Sequence, residues 1–230
     1  MIFTATVALA LTLFQTAAPA PDAARTGTAA PAQLRFAFEH SQLNPSSYIL
    51  LIHEDGSGHY QSGLASAPAP GNEESVVSAP VDRDIQIHDP LLSTFFHDAR
   101  AHRFFAITCE APGSHVAFTG KKTVGYTGPD GHGECTYNWS NDQQLNQLAN
   151  DLMAVAYTIE VGRRLGVEHL HDRLALDAEL EGLQEAVKDH RALEIENIST
   201  ELQSVANDEA VMNRARNRAR ALLNGSTPKS

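Results

Sequence analysis

Apolar and polar positions alternate through the first half of the chain and recur at helical spacing through the second. "LRFAFEH" alternates from Leu34 to His40, the period of a strand with one buried face. "SYILLIHEDGSGHYQS" predicts a β-hairpin. An apolar run over Tyr48–Ile52 is followed by a turn Glu54-Asp55-Gly56 with a left-handed glycine, then a return through Tyr60. The stretch from Ala65 to Ala79 is rich in Pro, Gly, Ser and Glu and reads as an exposed loop. "VDRDIQIH" alternates again, with Val81, Ile85 and Ile87 inward. Asp89 then caps a helix whose first position suits Pro90. Its apolar face is Leu91, Leu92, Phe95, Phe96 and Ala99, and it is expected to end near Phe104. "SHVAFTGKKTVGYTGPDGHGECTYNWS" reads as a strand, a turn near Gly120, a strand through Tyr126, a Gly-Pro-Asp-Gly loop, and a strand through Cys135, Tyr137 and Trp139.

After Ser140 the period changes. Ser140 with Gln143 forms a capping box ahead of Leu145, Leu148, Leu152, Val155 and Ile159, with Gly162 and Gly166 as candidate stops. Three further stripes follow: Leu176, Leu180, Leu183 and Val187; then Ile195, Ile198, Leu202 and Val205; then Val211, Ala215, Ala219 and Leu222. Breaks near Asp189 and Asn207-Asp208 separate them. The pattern predicts an α+β fold: an antiparallel sheet packed on two helices, followed by a C-terminal helical hairpin or three-helix segment. The α+β domain is placed at 33–166, the helical segment at 170–224 and a disordered tail at 225–230.

The leader changes the expected compartment. Ile2 to Phe14 is an uncharged apolar run followed by small residues, the pattern of a signal peptide over 1–24, although no Lys or Arg precedes it. The run is short of the roughly 20 residues that span a bilayer. An Ala/Pro/Thr-rich stretch at 25–32 reads as a disordered tether. The chain is therefore expected to be periplasmic or secreted. There, the only two cysteines, Cys109 and Cys135, favour one disulfide over free thiols or half of a metal site. A closed loop of that length contributes roughly 3–4 kcal/mol in the chain-entropy view. With 17 basic against 28 acidic residues and a net charge of −11, the chain lacks the basic surface that nucleic-acid binding needs.

"YILLIHEDGSGHY", the helix ending in "FF", and "GKKTVGYTG" leading to a last helix resemble small domains of unknown function in exported bacterial proteins, over about residues 33–160. The resemblance implies export and carries over no catalytic residue. "LQSVANDEAVMNRARNRARALL" faintly resembles one unit of a HEAT-type helical repeat.

Candidate chemistry is sparse. "EHLHDRLALDAEL" places His169, His171 and Asp172 together, suggesting a metal site or a metal-dependent hydrolase. In a helix, however, residues two apart lie about 200° around the axis, so the imidazoles would point apart. Asp172 is then expected to cap the next helix at a hinge. His53 and His59 fall on one sheet face as diagonal neighbours, a second candidate metal pair. Asp98 and His102 share a helix face. Cys109, with His115 or His132 as base, is a weaker nucleophile candidate than a disulfide partner. No cofactor fingerprint is present, and no cofactor is expected. Arg214, Arg216, Arg218 and Arg220 flank the last apolar stripe, which admits contact with an anionic membrane. From Asp172 to Glu209, however, 11 acidic residues face only three basic ones, so pairing of these arginines within the chain is favoured. The expectation that follows is a non-enzymatic binding or assembly module of the cell envelope, with a protein or envelope ligand as partner.

Overall fold

A computed structural model describes residues 31–63, 80–113 and 116–226. The leader, most of the tether, the 65–79 loop, His115 and the last four residues lie outside the described residues. The architecture is the expected α+β one. Six antiparallel strands, β1 (Gln33–Glu39), β2 (Ser47–His53), β3 (Ser57–Ser62), β4 (Asp82–Gln86), β5 (Lys121–Gly128) and β6 (Gly131–Tyr137), form one sheet in the order β4-β3-β2-β1-β5-β6. The hairpin closes through Glu54-Asp55-Gly56 as expected, with Gly56 at φ 85°.

Register puts Phe36 opposite both Leu50 and Val124, so Leu34, Phe36, Phe38, Leu50, Ile52, Tyr60, Val124 and Tyr126 share one buried face. The other face carries polar pairs, including Arg35 with Glu134, Lys121 with Glu39, and Thr123 with Thr136. Ala32 is in the core, so the expected tether stops short of it. Residues 116–120 form no strand, and Trp139 lies beyond the end of β6, so that part of the expected strand order is corrected.

Helix α1 (Leu91–Ala101) covers the buried face with Phe95, Phe96 and Ala99. Asp89 accepts hydrogen bonds from the Ser93 amide and hydroxyl at 3.1 and 2.5 Å, but the helix starts one residue later than expected, with Pro90 at the N-cap instead of the first helical position and no side-chain cap there. The helix does not run to Phe104. Arg103, Phe104 and Phe105 turn left-handed at φ 54°, 58° and 64°, which drives Phe105 into the core. A Cβ on Gly133 would lie 2.5 Å from the Phe104 carbonyl oxygen, so this turn fits only against a bare stretch of β6. Cys135, on the core side of β6, forms the disulfide with Cys109 across a Cα–Cα distance of 5.9 Å.

Helix α2 (Gln143–His171) runs 29 residues without a stop. Asp142, not Ser140, is its cap, accepting from the amides of Gln144 and Leu145 at 3.0 and 3.1 Å. Gly162 is a point of close approach instead of a stop: a Cβ there would lie 2.3 Å from Ile198. The boundary expected at Gly166 thus falls inside one helix. The first half of α2, through Ile159, completes the core of the sheet. From Val161 it packs with α3 (Leu176–Lys188), α4 (Ser199–Asn207) and α5 (Asn213–Ser226) in a second core. The breaks near Asp189 and Asn207-Asp208 are where they were expected, and α5 extends past the expected end at Asn224.

Between the cores lies a polar seam. Glu160 of α2 accepts from the Tyr60 hydroxyl and from Arg163 Nε, each at 2.8 Å. Burial first, and then the Glu160 charge, push the Tyr60 phenol well above its ordinary range. Arg83 of β4 crosses the same boundary to Glu201 of α4 at 2.8 Å.

Candidate functional site

The "HLHD" residues do not converge. His169 and His171 sit two positions apart in the last turn of α2, on nearly opposite sides of it, as expected. His169 Nε2 meets Asp208 at 2.8 Å, and this bond, followed by the Ala210 amide, holds the Asp208 carboxyl below its usual range. His171 and Asp172 are exposed. Asp172 ends α2 instead of capping α3. Its Oδ1 accepts from the Leu174 amide at 3.2 Å, and α3 starts four residues on, at Leu176, with no side-chain cap.

The remaining candidates have other partners. His59 faces the edge strand, with Nδ1 2.9 Å from Asp84 and Nε2 3.0 Å from Asp82. The Asp84 bond leads the causes that raise its pKa. His53 lies on the same face with its Nδ1 buried and without a hydrogen-bond partner, while both ring nitrogens of His59 are taken by the two aspartates. His102 bonds the backbone oxygen of Asp98, not its carboxylate, and the other ring nitrogen meets Asp142 at 3.0 Å. Cys109 is spent in the disulfide, so it offers no thiol. Pairing with the acidic helices, expected of all four arginines, holds for two: Arg214 and Arg218 both hold Asp177, with Arg218 also on Glu181 at 2.8 Å, while Arg216 bonds Asn213 and Arg220 bonds Asn217 and the Ala206 oxygen.

The strongest candidate is a cleft that no motif announces. It opens where β1 ends and β2 and β5 begin, with a volume of about 710 Å³. His40 and Phe118 form one wall, with ring centroids 5.3 Å apart. Ser41, Ser46 and Thr136 line it with hydroxyls, the Lys121–Glu39 pair at 2.9 Å adds one charge of each sign, and Glu110 adds a second carboxylate. Asn138 braces the Phe118 segment: its Oδ1 accepts from the Thr119 amide at 2.8 Å and its Nδ2 donates to the Ala117 oxygen at 3.3 Å. Below it, Lys122 Nζ donates to Thr119, Gly120 and Asn138 oxygens at 3.1–3.3 Å. Burial lowers the pKa of that amine, and nearby Glu110 works the other way. Beside this cleft Phe118 is 59% exposed and Trp139 40%, large rings left to solvent at one end of the sheet.

Nothing in the local sequence marks this site, because its walls come from five separate segments. The available signal was faint: Phe118 and Trp139 are large rings that fall outside the strands and the core. Compared with known proteins, the chain matches no family and no curated protein.

Proposed function

We propose that the chain is an exported binding module of the cell envelope, and that its ligand seats in the cleft at the end of the sheet. One observation carries this reading: the exposed Phe118 ring on a cleft that is also lined by hydroxyls, an amide, the Lys121–Glu39 pair and the Glu110 carboxylate. That combination suits a saccharide, which offers C–H faces to rings and hydroxyl edges to polar groups. The disulfide supports an oxidising compartment. Among the described residues no helix is long and apolar enough to cross a membrane. The resemblance to exported domains points the same way.

Trp139 is the only tryptophan, so its emission reports on this end of the molecule. Titrating the purified chain with a soluble N-acetylglucosamine tetramer is expected to shift that emission saturably. Phe118→Ala is expected to abolish the shift while far-ultraviolet circular dichroism stays unchanged. An unmoved spectrum with this tetramer and with soluble cell-wall glycan fragments would sink the saccharide reading. Hydrolysis of either probe would show an enzyme instead. The rival membrane-surface reading is less well supported, because Arg214 and Arg218 are compensated by Asp177.

A further inference from the structure

We propose that His88, Glu194 and Glu196 form a divalent metal site of the zinc class that bridges the sheet and the helical segment. One ligand atom from each lies within 4.8 Å of the other two, the one such grouping of three among the described residues. His88 follows β4, and the two glutamates precede α4, so the site spans a sequence separation of 106 residues between His88 and Glu194. It stands apart from the cleft, at the opposite edge of the sheet.

The backbone is already set for it. Asn197 lies against the free edge of β4: its Oδ1 accepts from the Gln86 amide and its Nδ2 donates to the Gln86 oxygen, both at 2.8 Å. This side chain pairs with the strand as a neighbouring strand would, which also blunts the edge. Arg83 donates to the Asn197 carbonyl at 2.7 Å. The same Asn197 amide groups hold the Glu194 carbonyl, fixing that residue in a left-handed conformation at φ 57°. The backbones of Gln86 and Glu194 are thus tied to each other through Asn197 before any ion arrives.

The charge balance points to a cation. The Glu194 side chain is 8% exposed, and its one charged partner among the described residues is His88. Both of its oxygens face that residue: Oε1 accepts from the His88 amide at 3.1 Å, and Oε2 lies 2.7 Å from Nδ1. A second carboxylate, Glu196, stands beside it. A nearly buried carboxylate with a second carboxylate for a neighbour is costly unless a cation joins them. With the proton between Nδ1 and Oε2 released to solvent as the ion binds, or with Nε2 as the ligating nitrogen, one imidazole nitrogen and two carboxylate oxygens make a borderline donor set, suited to zinc, manganese or cobalt at bonds of about 2.0–2.2 Å. Glu194 and Glu196 also border a cavity of about 470 Å³ that takes in His190, so water or a further ligand reaches the open positions.

The test uses the full chain, purified without a histidine tag and stripped with chelator. Calorimetry with Zn²⁺ alone is expected to show one saturable site and a raised melting temperature. Co²⁺ is expected to give visible ligand-field bands at the same stoichiometry. Glu196 is exposed and outside the His88–Glu194 hydrogen bonds, so Glu196→Gln should fold normally. Its affinity should fall by at least the roughly tenfold that even an outer-shell change costs. His88→Ala is expected to abolish binding, while the double change of His169 and His171 to Ala leaves it intact. Absence of saturable Zn²⁺ and Co²⁺ binding overturns the proposal. So does binding that persists undiminished in both Glu196→Gln and His88→Ala, or that disappears with His169 and His171.

Discussion

Glu168 is a carboxylate placed where its charge is unwelcome. Burial, reinforced by the Glu179 charge, pushes its pKa up to about 7, and Oε2 is buried with no hydrogen-bond partner. Because the folded state holds this proton more tightly than the unfolded chain, the contribution to stability is whole at low pH. It is lost as pH rises from the ordinary glutamate range through about 7. Solvent screening at a half-buried position trims the linkage value to about 1 kcal/mol. Glu168→Gln is expected to stabilise the chain by about that amount at alkaline pH and to change nothing in acid. Paired urea titrations at the two extremes measure this. Equal effects at both would show that the charge is not the cause. No periodicity reveals such a residue, since its surroundings are assembled from α2 and α3. Caps were better signalled but misplaced: Asp142 displaced Ser140 because its carboxylate reaches two amides at once.

At the scale of elements, the strands and helical stripes were legible because alternation and the 3.6-residue period survive folding unchanged. The hairpin turn and two of the helix breaks, near Asp189 and Asn207-Asp208, fell where turn residues put them. Glycine was the misleading signal. Gly162 and Gly166 look alike in sequence, yet a Cβ at Gly162 would strike Ile198 while one at Gly166 meets nothing within 4 Å. Gly162→Ala is therefore expected to destabilise by about 1–3 kcal/mol through overpacking. Gly166→Ala is expected to stabilise by up to about 1 kcal/mol through helix propensity. Denaturant midpoints of the two variants compare them directly, and matching signs would refute the packing account. The left-handed turn at 103–105 was invisible for a related reason: its space comes from glycines on a strand about 30 residues later. The cysteine pair was legible from its count and the compartment that the leader led one to expect. Replacing Cys109 and Cys135 by serine is expected to lower stability by about 2–4 kcal/mol, read from urea unfolding of the oxidised parent and the double variant.

Across the whole molecule, the fold class was legible and the candidate sites were not. The attractive "HLHD" string is local in sequence but divergent in space, while the cleft and the His88 cluster join segments far apart in the chain. Sequence proximity favours noticing ligands that a helix then separates. The two cores were anticipated as two domains, with the division placed at Gly166. The structure instead divides them at Glu160, where the seam of Tyr60 and Arg163 ties them together. The polar groups of this seam are mutually satisfied, so removing one member strands the others.

The continuity of α2 has a consequence for how the molecule comes apart. A rod with one half rooted in each core cannot lose order at one end without loosening the other. The chain has no joint at which one half melts and the other waits. Native-state hydrogen exchange is expected to show amides from Leu148 to Leu165 sharing a single opening energy and a single dependence on denaturant. Two separate isotherms, divided at Glu160, would mean that the seam yields before the helix does.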